Sequence, residues 1–227
     1  MNRLSPVMKM HMKSKFSWLL LPWAILLFSF GINLLIVVLV DDNKGFYTGG
    51  LASIFIYMFI IGIGIIAHTF PFALGLSVRR KDYFLGTITV FMVVSAVSAV
   101  VISVFSLLEN LTSGWGHDLH FFSLLNAFND NVFWQLWIFF ILLSHMFLCG
   151  FIISSLYRRF GRNGMYLFFT ILVLLFTVLS FACTYFQWWI PIFKWVSHNP
   201  NLLSLGIILV SVVYTLLSYL FLRRATV

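Results

Sequence analysis

The 227-residue chain is 62% hydrophobic and 9% charged, against the ~25% charged that is usual for soluble domains, so it cannot cover itself with a water-compatible surface. Its net charge of +8 lies almost wholly between apolar runs, where basic residues act as orientation signals and lipid-headgroup contacts; a nucleic-acid footprint is excluded. Cys149 and Cys183 sit inside apolar runs with no CxxC or Cys/His cluster nearby, which argues against a disulfide or a metal site.

Residues 1–15 carry Arg3, Lys9, Lys13 and Lys15. Ser5 followed by Pro6 has the pattern of a helix N-cap with proline at the first helical position, where a missing N–H costs nothing, so a short helix is expected here. On a 100° wheel Leu4, Val7, Met8, His11 and Met12 share one face and Lys9 and Lys13 take the other, which suits a helix in the inner headgroup layer; Lys15 falls on the apolar side. A disordered basic leader that only sets topology is the alternative. The run that follows is too long for a signal-peptide core and has no small-x-small cleavage site before Asp41, so it reads as an uncleaved first span.

About 20 apolar residues cross the hydrocarbon core, and six runs qualify. Span one covers 16–40, with Pro22 in its first turns and Asn33 nearer the far end, and a short acidic outer loop, 41–50, follows. Span two, 51–76, carries Gly62, Gly64, His68 and Pro71, and the proline predicts a kink because it removes a backbone bond and clashes with the preceding turn. A short charged inner loop, 76–86, reads LSVRRKDYFLG. Span three, 85–108, places Ser95, Ala99 and Ser103 at i, i+4 and i+8, a small-residue stripe that lets a neighbouring helix approach closely.

The longest loop, 109–131, holds Glu109, Asp118 and Asp130, and its HFFSLLNAF stretch is expected to lie as a short helix on the outer membrane surface. Span four is 132–157, and RRFGRNG at 158–164 reads as a tight basic inner loop. Span five is 165–186. The next segment, QWWIPIFKW, gathers Trp188, Trp189 and Trp195 around Pro191 as an interfacial aromatic belt, with a return into the membrane left open. Span six is 202–222, and residues 223–227 form a cytosolic tail.

With both termini in the cytosol, 12 of the 14 Lys and Arg lie inside and only Lys44 and Lys194 outside, while five of the six acidic residues fall outside. The expected fold is therefore all-α: a basic segment 1–15, then a six-helix transmembrane domain 16–222 in a multi-pass protein with cytosolic N and C termini.

Chemistry of the membrane interior needs its groups at helical spacing, and the usual sets are missing. Glu109 is the one glutamate, which excludes paired-glutamate proteases, and there is no HExxH, GxSxG or Walker A motif, so neither a catalytic residue nor a bound cofactor is expected of this chain. If ATP drives it, another chain must bind the nucleotide. The intramembrane polar residues that remain are His68, His145, Asn33 and Gln135. A polar group in hydrocarbon is a functional candidate by default. Here the two histidines read as structural, each hydrogen-bonded to a neighbouring helix, since a proton relay would want Asp or Glu in the spans.

Six spans, an amphipathic approach to the first of them, termini inside and the pattern G-L-S-V-R-R-K-D-Y-F-L-G at 75–86 together resemble the permease subunit of a bacterial ATP-binding-cassette exporter of the type-2 class. The likeness covers the whole chain in layout and residues 75–86 in motif. It implies that 76–86 is a coupling helix docking on a separate ATPase subunit through Arg79, Arg80, Lys81, Asp82, Tyr83 and Phe84, with the N-terminal helix packed beside it. It further implies two permease chains, identical or different, with two ATPase chains that hold ATP and Mg, in a bacterial cytoplasmic membrane. Such permeases export lipids, polysaccharides, peptides or drugs and often serve in resistance to membrane-active peptides; the uncharged aromatic spans favour a hydrophobic or amphipathic substrate. The segment between spans five and six is short for the re-entrant helices that many relatives carry. A reading from another class is a non-transporting immunity or sensor protein that binds a peptide or a membrane partner.

Overall fold

The computed structural model describes residues 4–13, 16–40, 45–123, 125, 129 and 131–225. Arg3, Lys15, Asp41, Asp42, Lys44, Asp130, residues 126–128 of the expected surface helix and the last two residues of the tail lie outside these. Hydrocarbon offers the backbone no hydrogen bonds, so apolar runs become helices, and the described residues hold seven α-helices. They are α1 (Leu4–Lys13), α2 (Leu21–Val40, entered through a π-helical turn at Phe16–Leu20), α3 (Ala52–Gly75), α4 (Arg80–Leu111), α5 (Val132–Tyr185), α6 (Trp189–His198) and α7 (Pro200–Arg223). Five of these, α2 to α5 and α7, are long and apolar enough to cross a membrane. Two short strands, β1 (Phe46–Tyr47) and β2 (Leu119–His120), pair in parallel between the two longest loops.

Two connections differ from the sequence expectation. The charged stretch 76–86 is not a loop along its length: α3 ends at Gly75, only 76–79 are non-helical, and α4 begins at Arg80. The basic stretch 158–164 is not a loop either; α5 runs through it, broken at Gly161 alone, where φ is +66° and ψ −164°. An L-residue rarely adopts that conformation, so a single glycine does the work expected of a seven-residue connection. Pro71 sits inside α3, as the expected span 51–76 had it.

Side-chain pairs fix how the helices run. Trp134 donates to Asn201 (2.8 Å), His145 meets Ser211 (2.8 Å) and Phe160 packs edge-on against Phe221 (5.6 Å), so α7 runs parallel to residues 132–160 of α5. Two parallel neighbours require the chain between them to come back, and residues 162–185, about 36 Å of helix, are long enough to make that return. On α4, Phe91 stacks on Phe147 (4.1 Å) and Ser106 donates to Gln135 (3.3 Å), so α4 is antiparallel to the same half of α5.

The core lies among α3, α4 and 132–160 of α5. Its closest approach is at Gly62 and Gly150: a Cβ on Gly62 would stand 2.3 Å from the Phe147 carbonyl oxygen, and one on Gly150 would stand 2.1 Å from that of Phe59. Backbones in contact gain dispersion where lipid leaves little hydrophobic drive between helices. Ser95, Ala99 and Ser103, the expected small-residue stripe, are buried on α4. By contrast, no residue from 156 to 203 is buried, and Leu167, Val178 and Phe181 are all more than 60% exposed.

Candidate functional site at the basic end

Arg79, Arg80 and Lys81 at the start of α4, Arg158, Arg159 and Arg162 around the break in α5, and Arg223 at the end of α7 collect at one end of the bundle. The turn that leads into α4 is tight. The Val78 N–H donates to the Ala73 carbonyl and the Ser77 N–H to that of Leu74, a Schellman closure of α3, with Ser77 at φ 55° in the position usually given to glycine. Val78 and Ala73 are buried, which seals the turn from below, while Leu76, Ser77, Arg79 and Lys81 are left exposed.

Basic residues are unfavourable in the first turn of a helix and Asp82 is favourable there. Arg80 resolves its conflict by reaching away from its own helix and donating to the Arg223 carbonyl (2.8 Å), at the C-terminus of α7, where a cation is favoured. Arg158 lies over the Phe70 ring (5.7 Å). Two of the cations are thereby committed to partners inside the chain.

Tyr83 and Phe84 take a different place from the one the sequence suggested. Expected as rings presented to a partner, they are 0% and 6% exposed and point into the bundle. Phe84 packs against Tyr219 (5.2 Å) and Phe151 (6.1 Å), and Tyr83 packs edge-on to Phe70 (5.1 Å). The surface offered by this stretch is therefore Leu76, Ser77, Arg79 and Lys81, with Arg80 and Asp82 half-buried.

Behind that surface hydrogen bonds join three helices. His11 Nε2 lies 3.0 Å from Thr87 Oγ1, Tyr83 Oη lies 2.7 Å from Thr69 Oγ1, and Thr69 donates to the Ile65 carbonyl (2.7 Å). Each hydroxyl has one proton, so with Thr69 committed to Ile65, Tyr83 donates to Thr69. His11 is fully buried, its backbone carbonyl accepts from Trp18 Nε1 (2.7 Å), and burial pushes its pKa down to about 4, so it is neutral at pH 7. The N-terminal segment is thus an ordered helix. Val7 and His11 face α4, while Met8 and Met12 of the expected apolar face are exposed.

The other polar residues singled out in the sequence stand apart from this site. His145 binds Ser211 of α7, whereas His68 is exposed on α3 and makes no side-chain hydrogen bond among the described residues. Asn33 donates to the Ser29 carbonyl of its own helix (2.8 Å). Gln135, buried, receives Ser106 and donates to the Asn129 carbonyl (3.1 Å), tying α4, α5 and the loop between them together.

At the opposite end Glu109 does what its sequence position did not disclose. The carboxylate is 0% exposed and accepts the N–H groups of Phe121 (3.1 Å to each oxygen), Phe122 (2.8 Å) and Ser123 (3.0 Å), the Ser123 hydroxyl, and Trp115 Nε1 (3.1 Å). It is the peg around which residues 112–123 fold. Among the described residues no group of three His, Cys, Asp or Glu comes together to hold a metal ion.

Compared with family models, curated proteins and solved structures, the chain matches none. The fold and the site define a class: an all-helical chain with several helices able to cross a membrane, basic at one end and closed by a carboxylate-pegged loop at the other.

Proposed function

We propose that the chain is the six-span permease subunit of an ATP-driven exporter in a bacterial cytoplasmic membrane, with N and C termini in the cytosol. The fifth and sixth crossings are 162–185 and α7, a reading supported by the parallel course of α7 and the first half of α5. An ATPase subunit docks on the exposed residues Leu76, Ser77, Arg79 and Lys81.

The observation that carries this reading is the mechanical wiring of the basic end. The exposed turn is continuous with α4, α4 is hydrogen-bonded through Thr87 and Tyr83 to α1 and α3, and Arg80 holds the end of α7. A partner that moved this turn would move four helices together, as coupling of ATP hydrolysis to the spans requires. A simple orientation signal needs charge and no such wiring.

A second permease chain covers the face of 162–185, whose apolar side chains are largely exposed in one copy. The seam between two such chains would form the path, and its lack of charge suits a hydrophobic or amphipathic substrate. Purification of the full chain with its surface variant Leu76→Ala/Lys81→Glu tests the docking. The wild type is expected to bring down an ATPase with Walker motifs, and the variant, which touches no buried group, to lose it at unchanged membrane abundance; equal recovery in both would reject the site.

A further inference from the structure

The seam between the first half of α5 and α7 opens twice along its length. Nearer the Glu109 end is a cavity of about 160 Å³ walled by Trp134, Ile138, Leu203 and Ile207, with Val196 of α6 above it. One turn further in is a second, of about 170 Å³, bounded by Met92 of α4 with Phe140 and Leu148, and carrying the hydroxyl-bearing residues Ser144, Ser211 and Thr215. Ile141 lines both, so they are two lobes of one seam. Each lobe alone is below the roughly 300 Å³ of a common small-molecule site, so a ligand of that size has to reach past the Ile141 wall that the two share.

The hydroxyls of the inner lobe differ in one respect. Ser211 donates to the Ile207 carbonyl and Thr215 to that of Ser211, the usual internal bond of a hydroxyl on a helix, and Ser155 and Thr177 on α5 do the same. Ser144 does not. It is 7% exposed, lines the cavity, and its Oγ has no hydrogen-bond partner among the described residues. A buried hydroxyl in apolar surroundings is costly to leave unmet, and here the means of meeting it within the helix goes unused.

We propose that this seam binds a small apolar molecule bearing one hydrogen-bonding oxygen, of the class of medium-chain alcohols and ketones. The hydrocarbon body fills the outer lobe and the oxygen meets Ser144 in the inner one. The site lies within one chain and stands independently of the exporter reading. Its walls carry no charged group, which excludes a carboxylate or an ammonium ligand, and its single unmet hydroxyl selects against a plain alkane.

The full chain in lipid nanodiscs, photolabelled with 3-azioctanol and mapped by mass spectrometry, tests this. Saturable labelling within 138–148 and 203–215 is expected, competed by 1-octanol about fivefold better than by octane, the worth of one neutral hydrogen bond. Ser144→Ala should retain the labelling and abolish the preference for the alcohol. Ile141→Trp, which fills the shared wall, should remove labelling from both stretches, and Leu203→Phe serves in its place if that variant does not fold. Labelling that fails to saturate, that spreads over 165–185 as a lipid-dissolved probe would, or that is competed equally by octanol and octane overturns the site. So does an unchanged alcohol preference in Ser144→Ala.

Discussion

Replacing Glu109 by Gln tests whether one carboxylate organises the loop after α4. The substitution is nearly isosteric, so packing is preserved and only acceptor capacity changes. Oε1 receives Phe121 N, Ser123 N and the Ser123 hydroxyl; Oε2 receives Phe121 N, Phe122 N and Trp115 Nε1. An amide NH2 in place of Oε1 leaves the Ser123 N–H unmet, and in place of Oε2 leaves the Phe122 N–H and Trp115 Nε1–H unmet, while the Phe121 N–H keeps the remaining oxygen. Each unmet donor costs about 1–3 kcal/mol, so the loop should lose on the order of 3 kcal/mol of local stability. Hydrogen exchange reads this directly: the amides of Phe121, Phe122 and Ser123 should exchange roughly a hundredfold faster in Glu109→Gln, while amides in the core of α3 keep their protection. Unchanged exchange at those three amides would refute the peg.

Other perturbations reach the rest of the bundle. Gly150→Ala forces a Cβ against the Phe59 carbonyl and should cost about 1–3 kcal/mol in thermal unfolding, whereas Gly206→Ala, with nothing within 4 Å, should be neutral or stabilising; equal effects would contradict the contact. The pKa of His11, about 4 when docked and near 6.5 when free, makes docking of α1 strongest above pH 6.5 and weaker as pH falls toward 4, by about 2 kcal/mol at pH 5. A spin label on Lys9→Cys should therefore gain mobility on acidification, and the same profile in His11→Gln, which cannot titrate, would dismiss the histidine as the cause. His145→Leu should cost about 1 kcal/mol through the lost bond to Ser211 while His68→Leu costs nothing, and the reverse order in thermal unfolding would show the two roles exchanged.

The apolar runs made the helices legible, because hydrocarbon leaves an uncharged run of that length little choice but helix. Connections were less legible. RRFGRNG reads as a loop by composition, yet Gly161 alone supplies the dihedrals that reverse the chain, so its neighbours stay helical. Tyr83 and Phe84, expected among the residues that dock on an ATPase, are buried against Thr69, Phe70, Phe151 and Tyr219, which no local pattern links to them. His11 was on the expected apolar face, but its partner Thr87 lies 76 residues away. Glu109 carried a signal that went unused, since a lone glutamate closing an apolar helix is costly unless something satisfies it. The Gly62 and Gly150 contact had no signal stronger than the glycines themselves, Gly62 beside Gly64 in an isoleucine-rich run and Gly150 between Phe147 and Phe151.

Docking of an ATPase on the basic end is tested most directly by a crosslink from the turn itself. In a chain with Cys149 and Cys183 replaced by Ala, Ser77→Cys places one thiol on the exposed turn. In native membranes a short bifunctional thiol reagent should join it to an ATPase subunit, with a yield that changes between nucleotide-free and ATP-bound states, while Ser113→Cys at the opposite end gives no such product. No ATPase adduct from Ser77→Cys, or labelling of that cysteine from outside intact cells by an impermeant reagent, would contradict the account.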